Sequence, residues 1–261
     1  MIELDNSHGV FVVLLAAVVV SSGCIESSST NLEPDFDLEY EDVSVNSSGN
    51  DLYRESMSRT ANISDYGVDA DNKMVMNLPV IGVSVNMTSN GVFEEESYEV
   101  NSTGNIKFNF GGNSNSTEFN TRISSTENGA EVEKEITGES NQTSEQYSRE
   151  DLGVSLEALQ GINAENASLL GVSNLSGEEN LLLEVNVDSS DLMRNSEKIF
   201  EVHSPIQEST EEGGDMSEVG SFNESEAYLW VDRDERTASK FAYYGSAGNG
   251  SLQVRSVTEY R

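Results

Sequence analysis

The sequence predicts an α+β protein that is mainly antiparallel β, and three observations predict it. Period-two alternation recurs in Met74, Met76, Leu78 and Val80, in Ile106, Phe108 and Phe110, in Phe119, Thr121 and Ile123, and in Leu181, Leu183, Val185 and Val187. Such sets form one apolar strand face backed by a polar one. Turn signals separate the runs, at Asn90-Gly91, Gly111-Gly112-Asn113 and Asn128-Gly129. Helical spacing intrudes mainly in the second half, at Leu152, Leu156 and Leu159 and again from Leu192 to Phe200.

The chain opens on an apolar block, Val10–Val20, followed by Ser21-Ser22-Gly23 and the only cysteine, Cys24. The block is shorter than the ~20 residues needed to span a bilayer and fits the apolar region of an export signal. Glu3 and Asp5 precede it where a signal peptide normally carries a basic residue. A lone cysteine directly after such a block suggests a lipid thioether, not a disulfide. Residues 21–24 resemble the lipobox of bacterial and archaeal lipoproteins, with Ser21 in place of the usual large aliphatic residue. The resemblance implies removal of residues 1–23 and attachment of lipid at Cys24. Residues 24–35 are too polar to order on their own and read as a tether.

From Leu52 the reading is β. Tyr53–Ser64 is expected to be the first strand. The phase changes after Pro79, from Met74, Met76, Leu78 and Val80 to Ile81, Val83, Val85 and Met87, so a bulge or bend is expected near Leu78–Ile81. Asn90-Gly91 is expected to turn the chain into a strand over Val92–Val100. The strands through Phe110, Ile123 and Ala130–Ile136 complete a meander. Ser148-x-x-Asp151 reads as a capping box for a helix through Leu159 that stops at Gly161. Ala164–Leu170 reads as a short helical turn. Ser189 or Ser190 is expected to cap a helix ending before Pro205, and 208–218 reads as an acidic loop. Three strands close the chain, Ala227–Val231, Thr237–Tyr244 and Ser251–Tyr260.

This order, with Gly177–Val185, Tyr228-Leu-Trp-Val-Asp232 and the hairpin from Trp230 to Lys240, resembles the LolA/LppX-like group of lipoprotein carriers and related haloarchaeal surface lipoproteins. The likeness covers roughly Leu52–Arg261. It implies a strongly curved open sheet, a half-barrel, with two or three helices packed on its concave side, in a single domain over 36–261. It also implies an apolar cavity for acyl chains.

A formal net charge of −33 in 261 residues, with pI near 4.1, sets the environment. In molar salt the Debye length falls to about 3 Å and self-repulsion is screened, as for a protein working in brine. The same charge excludes nucleic acid as a partner. Asn-x-Ser/Thr sequons stand at Asn46, Asn62, Asn86, Asn101, Asn115, Asn141, Asn166, Asn174, Asn223 and Asn249 and are glycosylation candidates in an exported chain.

Catalytic chemistry finds little support. His8 lies in the leader, and His203 at a helix end reads as structural or superficial. No nucleophile elbow is present. Asp69-x-Asp71-Asn72 and Asp232-x-Asp234-Glu235 lack the spacing of a calcium loop and read as solvated acidic turns. No metal site and no cofactor is expected.

The candidate lining of a lipid cavity is Met74, Met76, Met87, Phe108, Phe110, Leu181, Leu183, Leu229, Phe241 and Leu252; methionine adapts to varied shapes. The same residues fit a filled core, the usual place of apolar side chains at strand spacing. Tyr228, Tyr243 and Tyr244 fit either a cavity mouth or cross-strand pairing. The expected protein is a lipid-anchored, non-catalytic binder of a lipid or other apolar ligand at the outer face of the cell membrane. The alternative is a glycosylated surface-structure or adhesion module with a filled core.

Overall fold

The computed structural model describes residues 31–261 apart from 35, 37, 44, 46, 78–80, 111–112, 128, 137–138 and 206–220. The leader with His8 and Cys24, the sequon at Asn46 and the acidic 208–218 segment lie outside the described residues.

Eleven antiparallel strands form one open sheet in the order β6-β5-β4-β3-β2-β1-β11-β10-β9-β8-β7. The first meander comprises β1 (Tyr66–Asn77), β2 (Ile81–Glu94), β3 (Ser97–Phe110), β4 (Asn113–Thr126), β5 (Gly129–Ile136) and β6 (Glu139–Glu145). The second comprises β7 (Ala164–Leu175), β8 (Glu178–Val187), β9 (Glu224–Asp232), β10 (Ala238–Ala247) and β11 (Leu252–Tyr260). The two join where β1 pairs with β11 over Val68–Met76. Among the described residues three helices accompany them: α1 (Gly49–Thr60), α2 (Leu156–Gln160) and α3 (Ser189–His203).

The sheet is strongly curved, and the contacts of α3 demonstrate it. Ser196 reaches Tyr243 on β10, and the carbonyls of Glu201 and Ser204 reach Lys134 on β5. Those strands are six steps apart in the sheet, about 29 Å if it were flat. Eight helical residues span only about 12 Å. Both strands meet so short a stretch only because the sheet wraps around the helix.

Several local expectations are corrected. Residues 53–60 are helical, not a strand. Ser48 Oγ accepts from Asp51 N at 3.2 Å, and Leu52, Ser56 and Thr60 bury one stripe at four-residue spacing. Two of those three residues are hydroxylated, so the stripe carries almost no apolar signal. Of the bulge or bend expected near Leu78–Ile81 it is the bend that holds: β1 ends at Asn77 and pairs antiparallel with β2, so the chain reverses between strands and no bulge lies within one. Asn90-Gly91 lies inside β2, and the turn comes at Glu95-Glu96. Gly91 suits a crowded site, because a Cβ there would stand 2.9 Å from Val100 Cγ2.

The helix expected through Leu152–Leu159 is split. A 3-10 turn at Glu150–Leu152 ends at Gly153, and α2 starts afresh with Ser155 as cap, its Oγ accepting from Ala158 N at 3.0 Å. Ala164–Leu170 is strand, not helix; register shifts near Ala164 and Leu169 break its alternation. Strand β6 was not expected, since its sequence, ESNQTSE, is wholly polar and it occupies a sheet edge. Asp188, not Ser189 or Ser190, caps α3. The stops at Gly161 and before Pro205, the Asn128-Gly129 connection and the three closing strands agree with expectation to within a few residues.

The chain over 32–41 packs on the outside of the sheet. Leu182, Tyr228, Trp230, Ala242 and Tyr244 face away from the concave core and are covered by Phe36, with Leu32 and Leu38 beside it. The Arg255 guanidinium lies 5.1 Å from the centre of the Phe36 ring. Leu32 N donates to Gln253 Oε1 at 2.9 Å, and Glu41 exchanges backbone bonds with Val172. Ordered contacts therefore begin before residue 36.

Candidate functional site

The concave face holds one contiguous apolar core crossed by a polar row. Cross-strand register aligns Leu183, Leu229, Phe241, Thr258, Ala70, Ser89, Ser102, Thr121 and Lys134. Helix α3 lies over that row with Asn195, Ser196 and His203 on its buried face.

The hydrogen bonds along this seam have a definite direction. His203 Nε2 stands 2.8 Å from the Leu152 carbonyl, which only accepts, so Nε2 carries the proton. Nδ1 must then accept from Ser102 Oγ at 2.9 Å. Ser102 in turn accepts from Ser89 Oγ at 2.8 Å. Burial holds the His203 pKa down to about 4, and the nearby Lys134 charge adds to the effect. The imidazole is neutral at pH 7 and bolts α3 to β3 and to the 3-10 turn. It is buried, so a superficial role is corrected. Its partner on the far side is a backbone carbonyl, not the carboxylate that orients a catalytic imidazole.

A second group anchors the other half of α3. Ser196 Oγ donates to Leu192 O, so Tyr243 OH donates to Ser196 at 3.0 Å and accepts from Asn195 Nδ2 at 3.4 Å. Ser256 Oγ donates to Asn72 Oδ1 at 2.7 Å. Lys134 closes the row: its Nζ donates to the carbonyls of Glu201 and Ser204 at 3.1 and 2.9 Å. A cation there complements the C-terminal end of the α3 dipole. Burial lowers the Lys134 pKa. Lys134→Met is expected to lower the urea unfolding free energy by about 1–2 kcal/mol, from two lost charge-assisted bonds to helix-end carbonyls.

The seam divides the ten candidate lining residues. Met74, Met76, Met87, Phe108, Phe110 and Leu252 lie to one side, toward the β1–β2, β3–β4 and β10–β11 connections. Leu183, Leu229 and Phe241 lie in the row itself, and Leu181 lies beyond it. Seven of the ten are buried in the core; Met76, Phe108 and Phe110 remain partly exposed. Clefts lie elsewhere among the described residues. One of about 260 Å³ lies beside Leu192 and is lined by Asn166, Glu184, Asn186 and Ser225. An open groove of about 790 Å³ runs past Asp65, Tyr66 and Phe93 to Glu94–Ser97.

The two ends of the concave interior differ. At the β2–β3 end Phe93, Val100 and Ile123 have no exposure. Arg149 seals that end: it pairs with Glu157 at 3.2 Å, donates to the Ser97 carbonyl at 3.3 Å and to the Glu94 carbonyl, and lies over the Phe93 ring. Tyr66 OH donates to Glu157 at 2.6 Å and accepts from Leu156 N at 3.1 Å. Burial and the Glu157 carboxylate push the Tyr66 pKa up. At the other end the inward-facing Met76, Ile81, Phe108 and Ile136 all retain exposure.

Tyr243 faces α3, whereas Tyr228 and Tyr244 belong to the outer cluster, so the three tyrosines do not share a mouth. Asp69 and Asp71 lie within β1, not in a turn. Asp69 pairs with Arg261 at 2.8 Å and Asp71 with Lys73 at 3.4 Å. Asp232 Oδ1 accepts from Asp234 N and Glu235 N and so shapes a turn. Of the nine sequon asparagines described, seven are exposed, and Asn86 and Asn101 are half-buried. The residues that sequence reasoning missed are Ser89, Ser102, Lys134 and Asn195. Their one signal is a polar side chain on the inward phase of an apolar strand or helix face.

No family model matches the chain, and no curated protein matches it in sequence. Among solved structures it is similar to LprF from Mycobacterium bovis, at TM-score 0.42 and 13% identity over 80% of this chain and 90% of that one. It is also similar to lipoprotein LppX from Mycobacterium tuberculosis, at TM-score 0.35 and 11% identity over 80% and 92%. A β-barrel-like protein of a domain of unknown function from Brucella abortus follows at TM-score 0.32 and 7% identity over 76% and 98%.

Proposed function

We propose that this chain is an exported, non-catalytic lipoprotein that holds a lipid or other apolar molecule at the outer face of the cell membrane, anchored through Cys24. The observation that carries the reading is the asymmetry of the concave interior. One end is sealed by Arg149, while at the other the inward-facing Met76, Ile81, Phe108 and Ile136 keep access to solvent. Apolar side chains that point inward yet remain accessible form the natural entry for an acyl chain, and Met74 and Met87 behind them can repack around one.

Native mass spectrometry of protein gently extracted from its membrane tests the reading. The expected result is a co-purifying apolar mass that is depleted in Phe108→Asp but retained in Glu95→Gln. Folded protein that is consistently free of such a mass would remove it.

A second reading, a glycosylated surface module with a filled core, is favoured by the seven exposed sequon asparagines and by the seven candidate residues packed in the core. Glycan mapping discriminates between the two: unmodified asparagines throughout would count against this alternative.

A further inference from the structure

The inward face of β1 carries one residue that the packing leaves incomplete. Its inward positions run Tyr66, Val68, Ala70, Asn72, Met74 and Met76. Asn72 stands inside that apolar series and has no exposure. Its cross-strand neighbours are Met87 on β2 and Ser256 on β11, and Ala70 and Met74 flank it along the same face. Ser256 Oγ donates to Asn72 Oδ1 at 2.7 Å, the usual length of an O–H···O bond and the short limit for N–H···O, so it is the amide oxygen that faces Ser256. The amide nitrogen is buried and has no hydrogen-bond partner.

A buried donor without an acceptor costs free energy and is rare in folded proteins. The hydroxyls of Ser56 and Thr121 are also without partners, but a hydroxyl hydrogen can rotate toward any acceptor that comes near. The Asn72 amide cannot turn, because Ser256 holds its oxygen. The side chains of Met87, Ala70 and Met74 offer it no oxygen. Both amide hydrogens therefore stay unused in an apolar setting. Largely apolar pockets fix the orientation of a ligand with a few polar groups placed in this way.

The position suits the entry described above. Met76, four residues along β1, retains exposure, and Asn72 is buried about 13 Å behind it. Met74 and Met87, the side chains that can repack, are its immediate neighbours. The matching acceptor is uncharged. Lys134 lies four strands away on β5, and its ammonium is engaged by α3. A carboxylate brought to Asn72 would be buried without a cation beside it.

We infer that Asn72 is the polar anchor of the interior: its amide nitrogen donates to an uncharged carbonyl oxygen of a long-chain apolar ligand, which lies carbonyl inward with its tail toward Met76. The inference rests on the binding reading given above and names the ligand class within it.

The experiment offers the full membrane-extracted chain, washed free of lipid, a long-chain methyl ketone and the alkane of equal length in competition. Native mass spectrometry reads what is retained. The expected result is a preference for the ketone of roughly three- to tenfold, the effect of one hydrogen bond. The Asn72 side-chain amide protons should shift downfield in NMR with the ketone and not with the alkane. In Asn72→Leu, which keeps a branched side chain without the donor, both probes should be retained alike. Equal retention of the two probes by the native protein overturns the inference, and this is the result expected if a sealed water already satisfies the amide. A ketone preference that survives in Asn72→Leu overturns it too. So do Asn72 amide protons that respond equally to both probes, a measurement that does not need the variant to fold. Retention of neither probe refutes the binding reading together with the inference, whereas retention of both without preference refutes the inference alone.

Discussion

Replacing His203 with leucine is expected to lower the unfolding free energy by about 3 kcal/mol at pH 7, because it orphans the Leu152 carbonyl and the Ser102 hydroxyl inside the core. The same variant should lose a pH dependence that the native protein has. The folded-state pKa of His203 is about 4, against 6.5 for the free side chain. Between those values the unfolded chain binds a proton that the folded chain refuses. Stability from this group is therefore complete above pH 6.5 and is lost as pH falls toward 4, by about 3 kcal/mol in all. The gap between native protein and His203→Leu should accordingly shrink from its full size at pH 7 to almost nothing near pH 4. Urea titrations of both proteins at matched salt measure it, since carboxylate contributions common to the two cancel in the difference. A gap that stays constant from pH 7 to 4 would show that the imidazole titrates normally and is not buried as described. Imidazole NMR gives a second check: a neutral ring protonated at Nε2 down to about pH 5.

Gly153→Ala is the second large effect, again of about 3 kcal/mol. Gly153 adopts φ 71°, which disfavours any side chain. A Cβ there would also stand 2.6 Å from Ile199 Cγ1 and 3.0 Å from Ile199 N. The 3-10 turn would have to withdraw from α3, weakening the Leu152–His203 bond next to it. Gly67→Ala is the control: its nearest neighbours would be 3.8 Å away and its φ lies outside the left-handed region. That change should alter stability by less than about 1 kcal/mol. Thermal melts of the two variants should separate clearly. Coincident melts would mean that the turn is not pressed against α3.

These two positions show where sequence reading reaches its limit. Alternation located most strands of the sheet, because a half-buried strand must repeat every second residue, as Phe119, Thr121 and Ile123 do. The rule failed where burial did not create that period. Strand β6 has no apolar face to display at its edge. In β7 two register shifts interrupt the alternation. The stripe of α1 is Leu52, Ser56 and Thr60, and Thr60 is buried because its Oγ1 accepts from Ala238 N at the irregularity in β10. At the candidate site the inward phase of the ten apolar residues was legible, but their division by α3 was not. That division depends on Ser102 and Lys134, which are unremarkable polar residues until the register places them beneath α3, whose partner groups lie about a hundred and about seventy positions away.

The amino-acid sequence by itself determined the fold class, the acidic character and the inward phase of most strands, since each follows from composition or from a period of a few residues. Which end of the interior is sealed, where α3 lies and which tyrosines face it were decided by the tertiary structure alone. Those features arise from pairings such as Arg149 with Glu94 and Ser97, or His203 with Ser102, between residues tens to a hundred positions apart. No local pattern encodes a contact whose partners meet only after the strands have curved around a helix.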